Sequence, residues 1–173
     1  GIIYEDVGTT YKLLYYIKHF IYIKEPLYRY RENRQGSIMS TISPKINDIY
    51  TVLEDTYKFY AQKNALTTYN LEGSGYQYIK LLMWSNMYRQ LKFYKLNYLS
   101  FYKKMSKTKS LIDMRFETWR TNTIIFENED FFINRFGNNY IKKIDNLGKD
   151  FFSTLYVLSM LIVRNSFKLR RKA

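Results

Sequence analysis

Apolar positions along this chain recur mostly at helical spacing. The acidic pair Glu5-Asp6 sits where an apolar-periodic segment begins, and a helix is expected over Asp6 to His19. Phe20 to Tyr30 is a hydrophobic run with a strand-like character, and a basic, glycine-containing turn over Arg29 to Ser37 closes it. Ser43-Pro44 is a helix start, with serine as cap and proline in the first turn. Ile46, Ile49, Tyr50, Leu53, Tyr57 and Tyr60 carry that helix to about Lys63. Asn64 to Gly75, with Asn70, Gly73 and Gly75, reads as a loop.

A long helical stretch is expected over Tyr76 to Lys104, with a break near Phe93 to Asn97. The cluster KKMSKTKS, Lys103 to Ser110, reads as a basic loop or a frayed helix end. Leu111 to Thr121 predicts a helix anchored by Trp119, a residue placed in the core. Asn128-Glu129-Asp130 opens a further helix, and Gly137-Asn138-Asn139 is a turn. Tyr140 to Leu147 is a short helix ended by Gly148. Asp130 and Asp145 read as surface charges. The fold class expected is mainly α: a helical C-terminal bundle over 43–173, with a small helix-plus-strand piece over 1–42.

Composition narrows the chemistry. There is no cysteine, which removes thiol nucleophiles, disulfides and cysteine metal sites, and one histidine, His19, which removes a histidine cluster. Lys and Arg number 28 against 15 acidic residues, a net charge of +13. Such a balance concerns partners rather than fold. It suits a phosphorylated substrate, an anionic membrane surface or nucleic acid. Tyrosines interleaved with basic residues also suit single-stranded nucleic acid, but no RNA-binding signature accompanies them.

The chemistry-bearing residues concentrate near the start. A helix over Asp6 to His19 is about 20 Å long, and an extended run from Phe20 to Leu27 covers about 26 Å. If the chain reverses near His19 and Phe20, the arginines of the following turn return to the level of Glu5 and Asp6. Carboxylates facing arginines make a site for a phosphorylated substrate. Without more, Asp6 would serve as a helix cap, complementing the helix dipole.

The order G-I-I-Y-E-D-V, P-L-Y-R-Y-R and R-Q-G-S-I, over Gly1 to about Ser40, resembles the later part of the catalytic domain of family 2 glycosyltransferases of the GT-A fold. The likeness is to bacterial enzymes that build capsular, exopolysaccharide or teichoic-acid glycans. The resemblance implies that Asp6 is the base that deprotonates the acceptor hydroxyl, with Glu5 binding acceptor or sugar beside it. It implies that Arg31 and Ser37 contact donor or acceptor near the diphosphate. Arg34, in the same turn, is a further candidate. It makes 1–42 the trailing edge of a GT-A domain. Partners would be a nucleotide-sugar and a glycan acceptor, at a cytoplasmic place or at the inner membrane face.

Such enzymes also carry a nucleotide-binding half and a D-x-D motif that holds a divalent metal, Mg or Mn. This chain has no D-x-D. The expectation is therefore a C-terminal portion of a larger transferase, inactive alone and not binding the metal by itself. The alternatives are a non-enzymatic basic module for nucleic acid or anionic membrane, or a helical oligomerisation domain. Phe151 to Val163 is apolar, but its 13 residues fall short of the roughly 20 needed to span a bilayer. It reads as a buried closing helix, or else as an interfacial anchor with the basic tail that follows over 164–173.

Overall fold

The computed structural model describes residues 2–28 and 42–170, with side chains to residue 164. The protein is mainly α-helical, and among the described residues there is no strand. The chain divides into two compact units, 1–65 and 66–173.

The first unit pairs α1 (Glu5–Tyr16) with α2 (Asp48–Gln62), the latter preceded by a 3-10 turn, Pro44–Asn47. Ile46, Ile49, Val52 and Leu53 are buried at the spacing of one helix face. Gly8 faces Val52 across this pair, and a Cβ there would meet Val52 Cγ1 at 3.4 Å, an ordinary contact. Helix α1 ends at Tyr16, before His19. The strand expected from Phe20 does not form over its described part, 20–28. A strand needs a ladder partner for its backbone groups, and no described segment supplies one. Phe20, Ile21 and Tyr22 are 83%, 91% and 78% exposed. Residues 29 and 30 and the basic turn lie outside the described residues.

The second unit is a bundle around α5 (Tyr98–Arg115). Before it come α3 (Thr68–Tyr78), a seven-residue π-helical segment (Ile79–Ser85) and α4 (Met87–Phe93). After it come a 3-10 turn (Trp119–Thr121), α6 (Thr123–Glu127), α7 (Glu129–Phe136), α8 (Tyr140–Asn146) and α9 (Phe151–Arg170). Helix α5 packs on the π-helical segment, α4 and α9. Its buried residues Phe101, Met105, Thr108 and Ile112 repeat at intervals of four, three and four, a single stripe. Helix α9 answers with Thr154, Val157, Leu158 and Leu161.

Three expectations are corrected here. Gly73 and Gly75 lie inside α3, not in a loop: Thr67 caps that helix by accepting from Asn70 N–H at 3.2 Å. Gly75 is at a packing contact, where a Cβ would meet Asn122 Nδ2 at 3.3 Å and Phe116 at 3.4 Å. The cluster Lys103 to Ser110 is the middle of α5, with Met105 and Thr108 inward and its lysines on the remaining faces. Lysine is a good helix former, so a basic run does not end a helix whose apolar stripe continues. The helix expected over Leu111 to Thr121 is instead the end of α5 and a separate 3-10 turn. Trp119 is buried, in the core.

The expected break before Asn97 is present. Lys95 and Leu96 both take positive φ, and Asn97 caps α5 by accepting from Ser100 N–H at 3.1 Å. The start at Glu129, the turn at 137–139 and the stop after α8 also stand where the pattern put them.

Candidate functional site

Glu5 and Asp6 form the first turn of α1, and both are exposed. The chain enters from buried Ile3, whose N–H donates to Asp48 Oδ2 at 3.1 Å, fastening this entrance to the start of α2. Tyr4 then takes a left-handed conformation, φ 70°, and turns the chain into the helix. Asp6 Oδ1 accepts from Val7 N–H at 2.8 Å. The hydroxyls of Thr9 and Thr10 donate back to the carbonyls of Glu5 and Asp6, at 2.7 and 2.6 Å. Asp6 Oδ2 carries no bond among the described residues. A carboxylate held by one oxygen at the positive end of a helix is fixed in place and keeps its other oxygen for a ligand.

The body of α1 is held by a polar contact and an aromatic cluster. Tyr11 Oη donates to Asp55 Oδ2 at 2.7 Å, and Lys12 Nζ lies 3.1 Å from the same oxygen. The Tyr11 hydroxyl bond, together with Lys12, holds the Asp55 carboxyl below the usual carboxylate range despite partial burial. Burial, then Asp55, pushes the Tyr11 hydroxyl up. Tyr11, Tyr15 and Tyr16 meet Phe59 edge to face at 5.3, 5.3 and 6.2 Å. Such contacts add to simple burial, and they orient the helix that carries Asp6.

Arg31, Arg34 and Ser37 lie outside the described residues. The structure therefore places Glu5 and Asp6 side by side in sequence and on one helical turn. Among the described residues no three His, Asp or Glu side chains converge on a point. The described residues do not make a ligand set for the divalent metal that the resemblance implies.

A second polar cluster, in the other unit, escaped the sequence pattern. Asp113 on α5 and Asp145 on α8 are bridged by Lys109 and Arg120. Lys109 pairs with Asp113 and lies 3.0 Å from Asp145. Arg120 pairs with Asp145 and lies 3.1 Å from Asp113. The Trp119 indole donates to Asp113 Oδ1 at 2.8 Å. Burial pushes Asp113 up, but Lys109, Trp119 and Arg120 outweigh it and hold the carboxyl low. Asp145 behaves alike, with Arg120 and Lys109 overcoming burial. Asp145 is thus an ion-pair partner rather than the surface charge its isolation in sequence suggests. Lys109 and Asp113 stand at helical i, i+4 spacing, the one visible signal; the link to Asp145 is tertiary. Each carboxylate is neutralised, so the cluster ties elements together and offers no open ligand position.

Comparison with models of known families, with curated proteins and with solved structures gives no match.

Proposed function

We propose that this chain is the C-terminal portion of a glycosyltransferase that moves a sugar from a nucleotide-diphosphate donor to a glycan acceptor, with Asp6 as the base. The observation that carries the reading is the Glu5-Asp6 pair: it opens an exposed first helical turn, in the order with P-L-Y-R-Y-R and R-Q-G-S-I that such enzymes use. The exposed run Phe20 to Tyr28 supports it. Large apolar side chains left bare in a row mark a surface that another part of a protein covers, here the donor-binding half.

In this reading the acceptor hydroxyl gives its proton to Asp6 Oδ2 as its oxygen attacks the anomeric carbon. The new glycosidic bond forms while the bond from that carbon to the diphosphate oxygen breaks. Arg31 and Arg34 donate to the departing diphosphate, and Glu5 accepts from a sugar hydroxyl. A divalent metal held by the donor-binding half would offset diphosphate charge.

The test is sugar transfer by the longer protein that carries this chain. Asp6→Asn keeps the shape and removes the base, so turnover falls by about a hundredfold or more with the melting temperature nearly unchanged. Unchanged turnover removes Asp6 from this role.

A further inference from the structure

Helix α9 has two faces. One is the buried stripe of Thr154, Val157, Leu158 and Leu161. The other carries Phe152, Tyr156, Ser159 and Val163, spaced four, three and four apart, so they stand in line along the helix. Phe152 is 80% exposed, Tyr156 62% and Val163 54%. Ile162, also exposed, flanks the line. The polar member of the stripe hides its polarity: Ser159 Oγ donates to the Tyr156 carbonyl at 2.8 Å. A helix in a water-soluble bundle normally turns polar residues outward; this one is apolar on both faces.

The charge beside the stripe has one sign. No acidic residue follows Asp150, and Arg164, Lys168, Arg170, Arg171 and Lys172 fall within the last ten residues. A groove of about 390 Å³ lies along the same helix, bordered by Ser159 and Val163 from the stripe and by Lys143 and Arg164, with no carboxylate in its wall. Lys143 Nζ donates to the carbonyls of Phe136 and Asn138 at 2.7 and 2.9 Å, and Arg164 Nη2 to that of Ile133 at 3.1 Å. Those bonds fix both cations at the end of α7. Burial, then the neighbouring Arg164 charge, pushes the Lys143 ammonium down, a strain that an anion in the groove would relieve.

We propose that the outward face of α9 docks on an anionic lipid bilayer, with Phe152, Tyr156 and Val163 in the headgroup region and Lys143 and Arg164 against lipid phosphates. The pattern fits a helix that lies in the interface plane. No helix described is long and apolar enough to cross a membrane. Charge selects this occupant over a second copy of the chain, because two chains of net charge +13 repel. It goes beyond the transferase reading and does not depend on it.

The experiment is co-sedimentation of the full chain with vesicles of phosphatidylglycerol and phosphatidylcholine, and with phosphatidylcholine alone. The chain binds the anionic vesicles, binds the neutral ones far less, and is released by high salt. Phe152→Ser combined with Tyr156→Ser and Val163→Ser alters exposed positions only, so helical circular dichroism and melting stay close to the parent while vesicle binding drops at least about tenfold. Replacing Lys168, Arg170, Arg171 and Lys172 by Gln lowers binding by about fivefold for each charge removed. The proposal is overturned if the chain stays in the supernatant with anionic vesicles. It is equally overturned if the serine variant binds as the parent does, which would leave the basic end acting alone. A dimer in sedimentation that the serine variant converts to monomer, with no vesicle binding, would assign the face to a second copy instead.

Discussion

Gly148 and Gly73 show how differently one residue type can act. Gly148 has φ +83°, and a Cβ there would lie 2.4 Å from the Met105 carbonyl oxygen and 2.6 Å from its carbon. Backbone cannot move aside as a flexible side chain can. Gly148→Ala should therefore cost about 3 kcal/mol or more, from strain and overlap together, read as a loss in chemical denaturation. Gly73 is inside α3, and its Cβ would find Ile124 Cδ1 at 3.7 Å, an ordinary contact. Gly73→Ala should raise stability by about 0.5–1 kcal/mol. Gly148 was legible as a helix stop because it follows a short periodic segment. Gly73 was misread, because glycine near Asn70 and Gly75 resembles a turn until the Thr67 cap and the packing at Phe116 and Asn122 are seen. The carboxylates divide in the same way. Asp6 was legible from its neighbour and its place before an apolar stretch. Asp145 was not, since its partners lie on other elements.

At the scale of elements, the ion-pair cluster joins α5, the 3-10 turn and α8, and it sets a pH dependence. Asp113 and Asp145 have folded-state pKa values below their unfolded ones. Their contribution is fully present above the unfolded carboxylate value, about 3.9, and is lost as pH falls through the lower folded value. Asp145→Asn should cost about 1–2 kcal/mol at neutral pH, between the values for exposed and buried pairs because both carboxylates are partly exposed. The melting-temperature gap to the parent should close as pH drops below that window. A constant gap would mean that the loss is one of packing. Periodicity found α2 and α9, whose apolar stripes are long, and the start at Glu129, the turn at 137–139 and the stop at Gly148 marked the short helices α7 and α8. It failed at α3 and α5 because each stripe runs through residues usually associated with loops. It also misjudged Phe20 to Tyr28, where a hydrophobic run signals burial but not the partner that would make it a strand.

For the molecule as a whole, the net charge of +13 and the absence of cysteine were plain in the sequence, yet they leave several anionic partners open. The division after Ala65 was not visible. The chemistry changes character at Ser40, whereas α2 packs with α1; an amphipathic helix shows that it has a buried face, not which neighbour covers it. The central claim concerns the other end of that pair, the exposed turn at Glu5 and Asp6. Asp130 provides a matched comparison, being an exposed acid in the first turn of α7. On the proposed transferase function, we would measure sugar transfer by a longer protein that carries this chain, with Asp6→Asn and with Asp130→Asn, and the melting temperature of each. With Asp6 as the base, Asp6→Asn loses transfer by about a hundredfold or more while Asp130→Asn keeps it, with both variants folded. Transfer retained in Asp6→Asn, or lost equally in both, would contradict that role.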